Sequence, residues 1–158
     1  MTRTPDKLWH DAVHEAGHAV IARVLGVNSG YANLVPDYEE QTPSHAFIFD
    51  ALQAWEWNRL HPRRSGDDRP FWRGRVIATM AGVEAEREII GWCAGDAEHD
   101  CRRCDPMGDN PAYSNGPPEL SARMRRFARQ LVKRHRNAIL SFAEQLIAAD
   151  ELDELLAR

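Results

Sequence analysis

The sequence predicts a mainly α-helical domain with a small β element, about two short strands, after the first helix. Apolar residues recur at helical spacing near residues 5–25, 70–90 and 119–149. Gly26 and Gly91 stand just past the first two of these stretches, where a left-handed C-terminal residue is wanted. Residues 31–35 and 45–49 are short, rich in aromatic and β-branched side chains, and separated by the segment 36–43 with Pro at both ends, which fits two strands and a hairpin.

The first helix has a start signal at Thr4-Pro5, a cap hydroxyl followed by a proline whose missing N–H costs nothing in the first turn. Leu8, Ala12, Ala16, Val20 and Val24 then repeat every four residues. After the strands, residues 56–70 combine Arg59, Arg63, Arg64, Arg69, two prolines and Asp67-Asp68 without periodicity, and an exposed loop is expected. Phe71, Val76, Ile77, Met80, Ala81, Ala85 and Ile89 mark a second core helix. Residues 105–118 hold four prolines and two glycines, so a long loop precedes the last region. From residue 119 to 149 there is neither Gly nor Pro, and the polar cluster 133–137 divides two helices. Six arginines between Arg123 and Arg136 are read as a solvated helix face.

Composition narrows the function classes. With 158 residues, 43% hydrophobic and 28% charged, a single domain over residues 1–158 can close a core. Net charge is −4, from 24 acidic and 20 basic residues, so no basic surplus points to nucleic acid. No strongly apolar run exceeds four residues, whereas a bilayer span needs about twenty. The first ten residues lack the apolar stretch of a secretory signal, and three cysteines are too few and too odd for a disulfide framework. A cytoplasmic location without membrane contact is the expectation.

The chemistry centres on His14-Glu15-Ala16-Gly17-His18 in the first helix. Histidines four residues apart project from one face, one turn apart, and reach a single metal ion. Glu15 is turned about 100° from His14 but can lean toward the open side of the metal and take a proton from bound water. This is the HExxH pattern of zinc peptidases. If His14 and His18 were ordinary helix residues, Gly17 would be a pointless weakness. In a metal site it leaves room for close packing or for substrate. Zinc needs a third protein ligand and an open fourth position. Residues 94–104 are dense in donors: Asp96, Glu98, His99, Asp100, Cys101 and Cys104. Cys101-x-x-Cys104 with His99 or Cys93 is also a weak pattern for a separate structural zinc site. His10 extends the four-residue spacing but points too far away to share the ion, and is read as incidental or as a partner of a ligand.

Residues 13–22, Val-His-Glu-Ala-Gly-His-Ala-Val-Ile-Ala, resemble the metal-binding helix of the FtsH-type zinc metallopeptidases. Residues 80–91 are similar to that family's helix with paired glutamates, residues 95–100 to its Gly-x-x-Asn-Asp turn, and residues 136–152 to its closing helices. The resemblance implies a mostly helical, zincin-like peptidase domain in which two histidines and a distant aspartate hold zinc and the motif glutamate is the base. Asp100 matches the aspartate. His99 replaces the usual asparagine and one extra residue is present, so a shifted alignment would put Asp96 in that role. Glu86 matches the first paired glutamate, suited to hydrogen-bonding a ligand histidine, with a surface carboxylate as the alternative.

The function expected is therefore a zinc-dependent metallopeptidase with His14, His18 and Asp100 on Zn2+ and Glu15 activating the zinc-bound water. No Gly-x-x-x-x-Gly-Lys-Ser/Thr phosphate loop occurs in these residues, so flexible or unfolded polypeptides are the expected substrates, unless a separate ATPase or adaptor delivers them. An extended peptide could pair along the strand at residues 45–49. A homo-oligomer is compatible with the sequence. The alternative is a catalytically inactive, metal-stabilised interaction module on the same fold, with the loops at 51–70 and 105–118 binding a partner. The intact Glu15 favours the enzyme, because a structural metal site needs no base.

Overall fold

The computed structural model describes residues 4–27, 31–34, 45–47, 69–92 and 118–156. Helix α1 (Pro5–Val24) opens as its sequence asks: the Thr4 hydroxyl accepts from the Lys7 amide at 3.4 Å, and Pro5 fills the first turn. It ends at Leu25, and Gly26 follows with φ 68°. Strands β1 (Tyr31–Asn33) and β2 (His45–Phe47) pair antiparallel, with Ala32 opposite Ala46. Strand β1 stops at Asn33, two residues short of the expected end, while residues 48 and 49 of the second expected strand lie outside the described residues. This two-stranded ribbon lies against α1.

Helix α2 (Arg69–Ala85) packs along α1. The periodicity predicts continuous α-helix to residue 90. The structure instead closes with a π-helical turn (Glu86–Ile90), in which the Gly91 amide bonds the Glu86 carbonyl at 3.0 Å, and Gly91 adopts φ 96°. A π turn adds a residue to the winding and re-aims the side chains on it, and such turns recur at functional sites. Here the turn carries Glu86, which is 1% exposed.

Helices α3 (Pro118–Arg134) and α4 (Arg136–Leu156) meet at His135, inside the polar cluster expected to divide them. The hydrogen-bond ladder runs on through the junction, from the His135 amide to Leu131 and from the Ile139 amide to His135. The two are successive segments that pack on different partners, α3 on α2 and α4 on α1.

The core lies where these four helices meet. Ala12, Val13, Ala16 and Ile21 of α1 join Val76, Ile77, Met80 and Ala81 of α2, Met124, Ala128 and Val132 of α3, and Ile139, Ala143 and Leu146 of α4. Each buried Ile, Val or Met contributes about 1.5–3 kcal/mol relative to an exposed one. The many alanines bring helix axes close. No helix among the described residues is long and apolar enough to cross a membrane.

Ion pairs tie α3 to the end of α2. Glu84 is 1% exposed, and its carboxylate accepts from Arg129 Nε at 2.8 Å and from Arg87 Nη1 at 3.0 Å. Arg129 also lies 3.5 Å from Glu88, as does Lys133. A buried carboxylate is costly unless partnered, so Arg129 matters more than its exposed position suggests. Arg129→Ala should lower stability by about 1–2 kcal/mol in urea unfolding, since Arg87 remains and the pair is partly solvated. Lys133→Ala, which touches only the more exposed Glu88, should change stability by less than about 0.5 kcal/mol. Equal effects of the two substitutions would contradict this account of Glu84.

Candidate metal centre

Helix α1 is the central helix, yet it buries four ionisable side chains: His10, Asp11, Glu15 and His18 are each at most 5% exposed. Burial of polar groups is unfavourable unless each is compensated, so this concentration in one helix needs a cause. Asp11 is accounted for in part by Lys7, whose Nζ stands 3.4 Å from Oδ1.

The 3.6-residue repeat sets His14 and His18 one turn apart on the face toward α2. Their rings meet edge to face with centroids 4.6 Å apart, and their Nε2 atoms are 3.0 Å apart. Each ring is tethered through its other nitrogen. Nδ1 of His14 is 2.5 Å from Glu86 Oε1 on the π turn, and Nδ1 of His18 is 2.9 Å from the backbone carbonyl of Ala78 on α2.

These tethers fix the chemistry of the rings. A carbonyl oxygen only accepts, so His18 carries its proton on Nδ1, and in the neutral ring Nε2 is then a lone pair. With Glu86 as a carboxylate, which likewise only accepts, the proton of a neutral His14 ring lies on Nδ1 and its Nε2 is a second lone pair. Two lone pairs directed at each other across 3.0 Å repel unless a positive charge stands between them. That charge is either a metal ion or a proton shared by the rings. A zinc ion fits the donors: two ligands at 2.0–2.1 Å on a tetrahedral ion are about 3.3 Å apart, and ligating histidines characteristically donate their other N–H to a carboxylate or a backbone carbonyl.

Glycine makes the arrangement possible. A Cβ on Gly82 would lie 2.5 Å from His18 Nε2 and 3.0 Å from His14 Cε1, so the two rings rest directly on the α2 backbone. A Cβ on Gly17 would lie 2.8 Å from both the Ala81 carbonyl oxygen and Ala85 Cβ. Of the two uses that the sequence leaves open for Gly17, the described structure shows close helix packing.

Glu15 is 4% exposed, so it is not the solvated side chain that an ordinary amphipathic helix would present next to His14. Glu86 is buried against His14, which removes its reading as a surface carboxylate. His10 is also more than incidental: its Nε2 stands 3.7 Å from the second carboxylate oxygen of Glu86. Two contributors carried no specific expectation. One is the Ala78 carbonyl, invisible to any residue-type pattern. The other is Gly82, which the small residues Ala78, Ala81, Gly82 and Ala85 signal by lining one face of α2 at helical spacing.

Asp100, Asp96, Glu98, His99, Cys93, Cys101 and Cys104 lie outside the described residues, as do the loops at 51–68 and 105–117. Among the described residues no group of three or more His, Cys, Asp or Glu side chains is arranged to hold a metal. No protein-family model matches this chain, and no curated protein matches it.

The account of Gly82 is tested by a double-mutant cycle in urea unfolding. Gly82→Ala alone should cost about 1–3 kcal/mol through overpacking against His18, offset by up to about 1 kcal/mol of helix propensity. With the ring removed in His18→Ala, the same change should be less costly by at least about 1 kcal/mol. Identical costs in both backgrounds would show that the ring does not rest on Gly82.

Proposed function

We propose that this chain is a zinc-dependent metallopeptidase acting on peptide bonds of flexible or unfolded polypeptides. The observation that carries the proposal is the pair of Nε2 atoms 3.0 Å apart, each on a ring whose Nδ1 is already committed. A pair of histidines serving only the core would not need both rings turned so that their Nε2 atoms meet. The motif His14-Glu15-Ala16-Gly17-His18 and the blocks similar to FtsH-type peptidases support the same reading.

In this reading His14 and His18 hold the ion through Nε2, and Asp100 supplies the third ligand. When bound, zinc supplies Lewis-acid polarisation of the scissile carbonyl and lowers the pKa of water from 15.7 toward about 7. The protein's own residues do the rest. Glu86 and the Ala78 carbonyl keep both rings in the Nδ1–H tautomer and hold their planes. A Glu15 carboxylate oxygen takes a proton as the water oxygen bonds to the carbonyl carbon, then returns it to the nitrogen as the C–N bond breaks. The ribbon of β1 and β2, packed on α1, offers an edge for an extended peptide, which would align substrate with little dependence on its sequence. Substrates that are already unfolded, or delivered by a separate ATPase or adaptor, suit a chain without a phosphate loop in these residues.

Elemental analysis of purified protein tests the proposal together with cleavage of an unstructured, fluorescently quenched polypeptide. Wild type should carry about one zinc per chain, lost in His14→Ala and His18→Ala and sharply reduced in Asp100→Ala. Glu15→Gln should keep its zinc while turnover falls by about 10²-fold or more, the scale of a lost general base. Retained zinc in Asp100→Ala with loss in Asp96→Ala would move the third ligand to Asp96. A zinc-loaded wild type inert toward every polypeptide would favour the interaction module.

A further inference from the structure

Glutamates stand at alternate positions across the end of α2: Glu84 in its last turn, then Glu86 and Glu88 in the π turn. They reach two different neighbours. Glu86 meets α1, with Oε1 2.5 Å from Nδ1 of His14. Glu84 and Glu88 both meet α3, and at the same atom: Nε of Arg129 is 2.8 Å from Glu84 Oε2 and 3.5 Å from Glu88 Oε1. One guanidinium thus bridges a carboxylate on each side of Glu86, across the residue at which α winding gives way to π winding.

A π turn is rare because its winding is poorer than that of an α-helix, so contacts from outside the helix decide whether it persists. On its own side the turn is closed by the Gly91 amide on the Glu86 carbonyl at 3.0 Å. Ile89 and Ile90 pack partly buried on the core, an apolar contact without directional preference. The Arg129 bridge is directional, because it fixes the carboxylates of residues 84 and 88 to one point and with them the winding of the backbone between. Rewinding the turn as α-helix removes one residue from the winding, a rotation that accumulates to about 100° across it. That rotation changes the angle between Glu86, aimed at α1, and Glu88, aimed at α3. Glu84 is 1% exposed, so its half of the bridge is no optional surface contact.

We infer that Arg129 is a positioning residue of the metal centre: by bridging Glu84 and Glu88 it holds the π turn in the winding that aims Glu86 at Nδ1 of His14. The inference rests on the proposed reading of His14 and His18 as metal ligands. Arg129 acts through the backbone of the turn, and its effect reaches the site by way of Glu86.

Hydrogen exchange of backbone amides without zinc, and zinc affinity by competition with a chromophoric chelator, test it on full-length protein. Arg129→Met keeps the apolar stem and removes the guanidinium. Its Gly91 amide, which closes the π turn on Glu86, should exchange at least about fivefold faster than in wild type. The Val27 amide, which closes α1 on Ala22 by a bond of the same span, should not change. Zinc should bind about three- to tenfold more weakly, less than the roughly 10–100-fold typical of a partner directly on the ligand. Glu88→Ala cuts the bridge without stranding the buried Glu84. It should shift both readouts in the same direction, and so carries the test if Arg129→Met does not fold. Lys133→Ala, which removes a second cation from Glu88 and leaves the Arg129 bridge intact, should leave both readouts within about twofold of wild type. Unchanged Gly91 exchange and zinc affinity in Arg129→Met and Glu88→Ala would overturn the role of Arg129 and leave the metal centre standing. Faster exchange at Gly91 and Val27 alike would mark a general loss of stability and overturn it as well. Absence of zinc binding in wild type would overturn the metal reading itself and this inference with it, whatever the exchange at Gly91.

Discussion

Helix α1 crosses α2 at a distance set by glycine on both sides, and the arrangement of the site follows from that contact. Gly17 lets α1 sit on the backbone of Ala81 and the side chain of Ala85, and Gly82 lets the rings of His14 and His18 approach the backbone of α2. At this separation the Ala78 carbonyl is within reach of His18, and Glu86, two turns further along, is within reach of His14. Added methyl groups would push the helices apart and take both Nδ1 partners out of hydrogen-bond range. The π turn belongs to the same geometry, because it is at that turn that a glutamate at the end of α2 points back into the helix pair. The ion pairs of Glu84 with Arg87 and Arg129 then fasten this end of α2 to α3.

The interior near α1 holds two imidazoles whose Nε2 atoms face each other, one carboxylate bonded to the first of them, and a third imidazole behind that carboxylate. Such a cluster is expensive in a low-dielectric core, and well-packed apolar side chains in the same space would be more stable. In the proposed reading, a divalent cation between the Nε2 atoms would turn that cost into binding free energy, with both rings held in the tautomer that ligation needs.

Much of this was legible in the sequence wherever the determining interactions are local. The cap at Thr4-Pro5, the four-residue repeat of α1, the glycines closing α1 and the π turn, and the break near His135 all act within a few residues of themselves. His14 and His18 were legible as a pair because one turn of helix brings them together. The π turn was not, since five residues are too few to separate its winding from 3.6 residues per turn. The bond between Glu86 and His14 spans 72 residues, and only the resemblance of residues 80–91 to a known block suggested it. His10 was hardest to read: its position on the helix face was clear, but its partners Glu86 and Trp92 come from the far end of α2.

Nitrogen-15 NMR of the histidine side chains reads directly whether the facing nitrogens of His14 and His18 take a metal ion or share a proton. Spectra recorded at neutral pH before and after one equivalent of zinc should show both rings in the Nδ1–H tautomer. On zinc addition both Nε2 resonances should shift while both Nδ1 positions stay protonated. A doubly protonated His14 bonded to Nε2 of His18, unchanged by zinc, would contradict the account and identify the pair as a buried ion pair with Glu86.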